Sequence, residues 1–123
     1  MKRTMVTAGV DLIAVDRIAA TIARHGDRFL RRVFTPAELE AAGGKPASLA
    51  ARFAAKEAAA KALGCGIGAI RWRDIEVMSD ERGRPSLRLH GAAAARAAAI
   101  GVSQLALSLA HERALAVAVV VGH

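Results

Sequence analysis

From Ala47 to Leu63 the chain runs rich in alanine, with no glycine or proline, and stops at Gly64. Alanine has the strongest helix propensity, and a glycine supplies the left-handed residue at which helices end. The pattern predicts one long helix from about Pro46 or Ala47 to Leu63, and the remaining elements must pack around it. At about 100° per residue, Leu49, Phe53, Ala60 and Leu63 share an apolar stripe. Glu57 falls at the margin of that stripe, one turn after Phe53 and between Lys56 and Lys61, with Lys61 one turn further on the same side. A carboxylate half withdrawn from water among ammonium groups suits a metal and a phosphorylated ligand. On the helix alone, the same residues also read as a plain Glu–Lys pair worth about a few tenths of a kcal/mol.

At 123 residues, one domain spanning positions 1–123 is expected. Hydrophobic residues make up 54% of the chain, but many are alanine, aromatics are only 3% and tyrosine is absent. Alanine buries little area, so a monomer gains modest hydrophobic stabilisation and an oligomer covering apolar faces is expected. Eighteen Lys and Arg against eleven acids give a formal charge of +7. Such a surface attracts nucleic acids, anionic membranes, phosphorylated cofactors or acidic proteins. Scarce aromatics disfavour single-stranded nucleic acid, which is held by base stacking. Cys65 is the only cysteine, so no internal disulfide forms, and its expected role is a small packing residue. The N-terminus begins basic but meets Asp11 before any long apolar region, unlike a signal peptide, and the run Leu115 to Val121 is too short for a spanning helix. A soluble, cytoplasmic protein is expected, with no membrane partner.

Met5 to Ile13 reads as a strand, with Asp11 near its end, and a basic helix follows from about Val15 to Arg24, broken by Gly26. Asp27 to Val33 gives a further turn or two with Phe29 and Leu30 facing in. Thr35-Pro36-Ala37-Glu38 is a helix start: Thr35 caps, Pro36 suits the first position, Glu38 completes a capping box, and Gly43-Gly44 ends the helix. Gly64-Cys65-Gly66-Ile67-Gly68 is a flexible loop without the spacing of a phosphate-binding P-loop. Ile75–Met78 and Ser86–Leu89 read as a hairpin across the Asp80–Pro85 turn, Gly91–Ile100 as a helix closed by Gly101, and Gln104–Ala110 with Ala114–Val121 as a terminal hairpin. Two local hairpins among helices favour an α+β fold over a doubly wound parallel sheet.

No Ser-His-Asp order, HExxH, paired cysteines or dinucleotide fingerprint is present. Charged residues at element ends remain: Asp11, Glu57, Lys61 and His111. An acid inside an otherwise apolar strand costs several kcal/mol unless paired or bound to a cation. Asp11 therefore binds a cation, caps the helix from Val15, or pairs with Arg17.

These residues carry a resemblance. Gly9-Val10-Asp11 with Arg17-Ile18 resembles the first motif of the holo-[acyl-carrier-protein] synthases, the small bacterial 4'-phosphopantetheinyl transferases. Phe34-Thr35-Pro36-Ala37-Glu38 is similar to their next segment, and Arg52-Phe53-Ala54-Ala55-Lys56-Glu57-Ala58 with Lys61-Ala62 and Gly64 to their hallmark helix. Trp72 to Val77 with Gly83-Arg84-Pro85 resembles the middle hairpin, and Ser108-Leu109-Ala110-His111-Glu112 with Ala116 and Ala118 the terminal one. The match is collinear from about Gly9 to Val121. Cys65 replaces a common hydroxyl residue, Arg84 a frequent Lys and Leu115 a frequent aromatic.

The resemblance implies a single α+β domain, an antiparallel sheet with a long central helix, assembled as a homotrimer with the coenzyme pocket shared between neighbours. It implies transfer of phosphopantetheine from coenzyme A to a serine of apo acyl carrier protein, with Mg²⁺ on Asp11 and Glu57 and with Glu57 and Lys61 as catalytic residues. Arg52, Lys56, Lys61, Gly83, Pro85 and His111 are the expected coenzyme contacts, although Arg52 and Lys56 also read as surface charges. A metal-positioned water or Glu57 itself takes the serine proton; the sequence does not choose. Arg17, Arg24, Arg28 and Arg31, at intervals of seven, four and three, can share a broad face for an acidic carrier protein, whereas Arg32 points elsewhere. Two rivals remain: a small basic RNA-binding protein, indifferent to loss of Glu57, and a non-catalytic trimer that binds coenzyme A without turnover.

Overall fold

Val- and Ile-rich segments from near the two ends of the chain pair with each other. In the computed structural model, which describes residues 5–123, strand β1 (Thr7–Ala14) lies antiparallel to β5 (Leu115–Gly122), and β5 to β4 (Leu105–His111), giving a three-stranded sheet in the order β1-β5-β4. Residues 1–4, including the basic Lys2 and Arg3 on which part of the signal-peptide reading rests, lie outside the described residues. The other elements are helices α1 (Val15–His25), α2 (Asp27–Val33), α3 (Pro36–Ala42), α4 (Pro46–Ala62) and α5 (Gly91–Ile100), with a separate hairpin β2 (Ile75–Ser79) and β3 (Pro85–Leu89). The α+β reading holds, with strand bounds shifted by a residue or two; Trp72–Asp74, read with the middle hairpin, is a 3-10 turn before it.

Local chemistry sets the helix boundaries. The Thr35 hydroxyl accepts the Glu38 N–H at 3.2 Å, and a Glu38 oxygen accepts the Thr35 N–H at 2.9 Å, so the capping box is complete. Gly64 turns left-handed (φ +72) just beyond α4, and Arg96 of α5 donates through Nε to the Leu63 carbonyl at 2.9 Å, satisfying one orphan acceptor there.

Helix α4 lies on one face of the sheet, and alanine explains how closely. A Cβ on Gly9 would sit 2.0 Å from the Ala58 carbonyl oxygen, so β1 crosses the helix backbone at a point where only glycine fits. Ala54, Ala55, Ala58 and Ala59 on the helix, and Ala116 and Ala118 on β5, are fully buried or nearly so. Small side chains on both layers thus trade area per residue for backbone proximity. The single stripe of Leu49, Phe53, Ala60 and Leu63 is too narrow: α4 is buried on almost every side, with Arg52, Phe53 and Glu57 half-buried and Lys61 exposed. Helices and a hairpin surround it, so one apolar stripe does not describe it. The opposite face of the sheet exposes Val10, Leu12, Leu115, Val119 and Val121, an apolar surface.

Candidate active site

The close approach at Gly9 brings β1 and α4 together where their polar residues surface. Asp11 lies two residues beyond Gly9 on the same face of β1, and Glu57 immediately precedes Ala58. Lys61 completes the group: its Nζ donates to Asp11 Oδ1 at 3.3 Å and to the Val10 carbonyl at 3.0 Å. The Asp11 side chain is 18% exposed and that of Lys61 54%. Burial first, and the Asp11 charge second, push the Glu57 carboxyl above the ordinary carboxylate range, while Lys61 and Arg17 pull it partly back. Two partly withdrawn carboxylates that repel each other, beside an ammonium, are an arrangement a divalent cation relieves. Among the described residues no three His, Cys, Asp or Glu side chains gather for a metal. Two carboxylates completed by a ligand's phosphate oxygens and water match Mg²⁺, which rarely takes an all-protein cage.

Arg52, Gly83, Pro85 and His111 meet in a second place. With Ser48, Ala51, Val77, Ser79 and Leu109 they line an open cleft of about 270 Å³. Arg52 Nη1 donates to the Ser48 hydroxyl and, at 3.3 Å, to the Ser48 carbonyl, but its buried Nε has no partner. Burial lowers the guanidinium pKa, which the Glu38 charge partly offsets. A half-buried guanidinium in the wall of this cleft suits an anionic ligand. None of Asp11, Glu57 or Lys61 lines this cleft. On an α-helix Arg52 points about 140° away from Glu57 and about 180° away from Lys61, so one chain presents the two sets to opposite sides of α4.

Lys56 is a correction. It is fully buried, with Nζ 2.7 Å from Glu38 Oε1, 3.1 Å from the Trp72 carbonyl and 2.5 Å from the Ile75 carbonyl. All three ammonium donors are engaged inside the protein, so nothing is left for a coenzyme phosphate. Burial lowers its pKa, and Glu38 restores part of the loss. Glu38 Oε2 also accepts the Val77 N–H at 2.9 Å. The capping box identifies Glu38 by its local role only; its partners 18 and 39 residues away leave no local signal. The arginine row needs revision too. Gly26 (φ +54) separates α1 from α2, so helical spacing relates Arg17 to Arg24 and Arg28 to Arg31, but not one pair to the other. All four are exposed. Ser48 and the Val10 carbonyl, contacts of Arg52 and Lys61, carry no sequence signal of their own.

Residues 7–120 match the family described as the 4'-phosphopantetheinyl transferase superfamily. The chain is 54% identical over 117 residues to the holo-[acyl-carrier-protein] synthase of Halorhodospira halophila, covering 92% of this chain and 93% of that protein. To the enzyme of the same name from Herpetosiphon aurantiacus it is 50% identical over 125 residues, covering 96% and 98%. The crystal structure of the Helicobacter pylori holo-[acyl-carrier-protein] synthase in complex with coenzyme A superposes with a TM-score of 0.87 at 31% identity, covering 94% of this chain and 99% of that one. With five collinear motifs, the expected fold and this similarity over nearly its full length, the chain belongs to the holo-[acyl-carrier-protein] synthases of the 4'-phosphopantetheinyl transferase superfamily.

Proposed function

We propose that residues 1–123 form one Mg²⁺-dependent transferase domain that moves 4'-phosphopantetheine from coenzyme A to a serine of apo acyl carrier protein. The relatives carry the name of that activity, and the Helicobacter pylori enzyme was crystallised with coenzyme A. The observation that carries the assignment of residues is the meeting of Asp11, Glu57 and Lys61 at the β1–α4 crossing.

In the reaction the serine oxygen attacks the phosphorus bearing the pantetheine arm. A new P–O bond forms, the bridging P–O bond breaks, adenosine 3',5'-bisphosphate leaves with the electron pair, and the serine proton passes to a base. Asp11 and Glu57 would hold Mg²⁺, which when bound withdraws charge from the diphosphate. Lys61, already anchored on Asp11, offsets the negative charge growing on the leaving phosphate. Glu57 itself, or a water positioned beside it, accepts the serine proton. Arg52, Gly83, Pro85 and His111 receive the nucleotide end, with the Arg52 guanidinium as the cation of the cleft.

These two sets face opposite sides of α4, so a coenzyme touching both lies between two copies. A homotrimer closed through the apolar sheet face meets this need and covers Val10, Leu12, Val119 and Val121. Arg17, Arg24 and Arg28, exposed on α1 and α2, steer and orient the acidic carrier protein. No helix among the described residues is long and apolar enough to cross a membrane, and action in the cytoplasm is part of the proposal.

Intact mass spectrometry tests the site. Apo carrier protein incubated with coenzyme A and Mg²⁺ gains one phosphopantetheine. Asp11→Ala and Glu57→Ala, each folded by circular dichroism, are expected to slow that gain by about 10²-fold or more. Undiminished rates in both variants would reject the assignment of those residues.

A further inference from the structure

Three arginines from distant parts of the chain converge away from both clusters. Arg32 lies in the last turn of α2, and Arg71 and Arg73 flank Trp72 at the 3-10 turn; with Thr35 and Asp74 they line an open cleft of about 320 Å³. All three arginines are exposed, while the neighbouring acids are turned inward. Asp74 is buried and accepts the Arg71 N–H at 3.1 Å, with Arg71 Nε 4.0 Å away. Glu76 accepts the Thr35 hydroxyl at 2.6 Å and lies 3.1 Å from His90 Nε2, and Glu38 is committed to Lys56. Among the described residues, Arg32 and Arg73 have no ion-pair partner. The cleft is therefore a net positive surface rather than a neutralised one.

Its walls are fixed by the core. The Trp72 ring stacks on Phe53 of α4 at 4.6 Å, Phe53 lies 6.3 Å from Phe29 of α2, and the Trp72 carbonyl accepts from buried Lys56. Arg71 and Arg73 thus leave the surface on either side of an anchored residue. Against the expectation that Arg32 points away from the arginine row, Arg28 precedes it by one turn of α2, so the cleft prolongs the basic surface of α1 and α2. The ladder beneath it ends at Phe53, one turn before Glu57.

We propose that the Arg32–Arg71–Arg73 cleft is a second docking point for the acidic protein substrate, gripping a carboxylate-bearing segment distinct from the one aligned along α1. The proposal rests on the docking role given above to Arg17, Arg24 and Arg28. Guanidinium groups suit this task because their fork matches a carboxylate and they dehydrate readily. A protein fits better than a small free anion, because the cleft is open, its cations are exposed, and no buried unpartnered donor points into it. Arg52, the arginine with an unpartnered Nε, lines the other cleft. Two separated contacts fix the orientation of a partner about its long axis, which a single row of charges leaves free.

The test compares Arg71→Glu/Arg73→Glu, alone and with Arg32→Glu, against Arg24→Glu/Arg28→Glu, measuring KM for apo carrier protein and for coenzyme A across salt. Cleft reversal is expected to raise the carrier-protein KM by about tenfold at low salt, with the difference fading as salt rises and the KM for coenzyme A unmoved. An unchanged carrier-protein KM in the cleft variants, alongside a raised one in Arg24→Glu/Arg28→Glu, overturns the second docking point and leaves the first. Unchanged values in both sets overturn the docking surface as a whole. Loss of inorganic phosphate binding without an effect on carrier protein makes the cleft a small-anion site and also overturns the proposal.

Discussion

Glu57 is held in a place that its charge resists. Burial and the Asp11 carboxylate both favour its protonated form, and only Lys61 and Arg17 speak for the ionised one. A carboxyl whose folded pKa is raised adds stability that is fully present below the unfolded value, near pH 4, and is lost as pH rises through the folded value. At neutral pH without Mg²⁺ the ionised side chain is therefore a local destabilisation, the kind of unfavourable ionisation expected where a cation and a phosphate are to bind. Glu57→Gln removes the charge and keeps the shape. It is expected to raise the melting temperature at pH 7 in the presence of chelator, with the gain shrinking towards pH 4, and to abolish most transfer activity. A melting temperature lower than that of the unaltered protein at pH 7 would mean that the carboxylate stabilises the fold instead. Lys56, next in the chain, has the opposite standing: its charge is satisfied by three acceptors and serves packing.

At the scale of elements, the Lys56–Glu38 pair joins α3 and α4 to the middle hairpin, since the same two side chains bond the Trp72 and Ile75 carbonyls and the Val77 N–H. Both walls of the Arg52 cleft, α4 on one side and β2–β3 on the other, are set by this junction. Lys56→Met leaves a buried carboxylate unpaired and is expected to cost about 3–5 kcal/mol in chemical denaturation. Adding Glu38→Gln removes the stranded charge while keeping an acceptor, and should recover a substantial part. If the double variant is no more stable than Lys56→Met, the loss comes from packing rather than charge. This junction also marks where sequence reading stops. The capping box at Thr35–Glu38, the glycine stops after α3, α4 and α5, and both hairpins follow from short-range rules and were legible. The burial of Lys56 and the convergence of Arg32 with Arg71 and Arg73 depend on contacts between residues far apart in the chain, which no local pattern encodes. The Gly9 crossing lies between these cases: the glycine is visible in a strand, but the helix it admits is not.

For the whole molecule, the separation of the two clusters has a quantitative consequence. Asp11, Glu57 and Lys61 surface on one side of α4 and Arg52 on the other, with Gly83, Pro85 and His111 beside it. In the proposed homotrimer, a ring closed head to tail through the exposed sheet face would bring the first set of one copy against the second set of its neighbour. Each site then needs Asp11 from one chain and Arg52 from another. Asp11→Ala and Arg52→Ala preparations should each be nearly inactive alone. Refolded together in equal amounts, they form mixed trimers in which a site is intact when an Arg52→Ala chain supplies Asp11 and an Asp11→Ala chain supplies Arg52. Random assembly makes that true for about a quarter of sites, so roughly a quarter of the unaltered rate should return. Sites built within single chains regain nothing on mixing, because every chain carries one defect. Mass spectrometry of the carrier protein reads the rate, and light scattering on the same sample reports whether trimers have formed. Trimers without regained activity would leave the oligomer standing and remove the shared site.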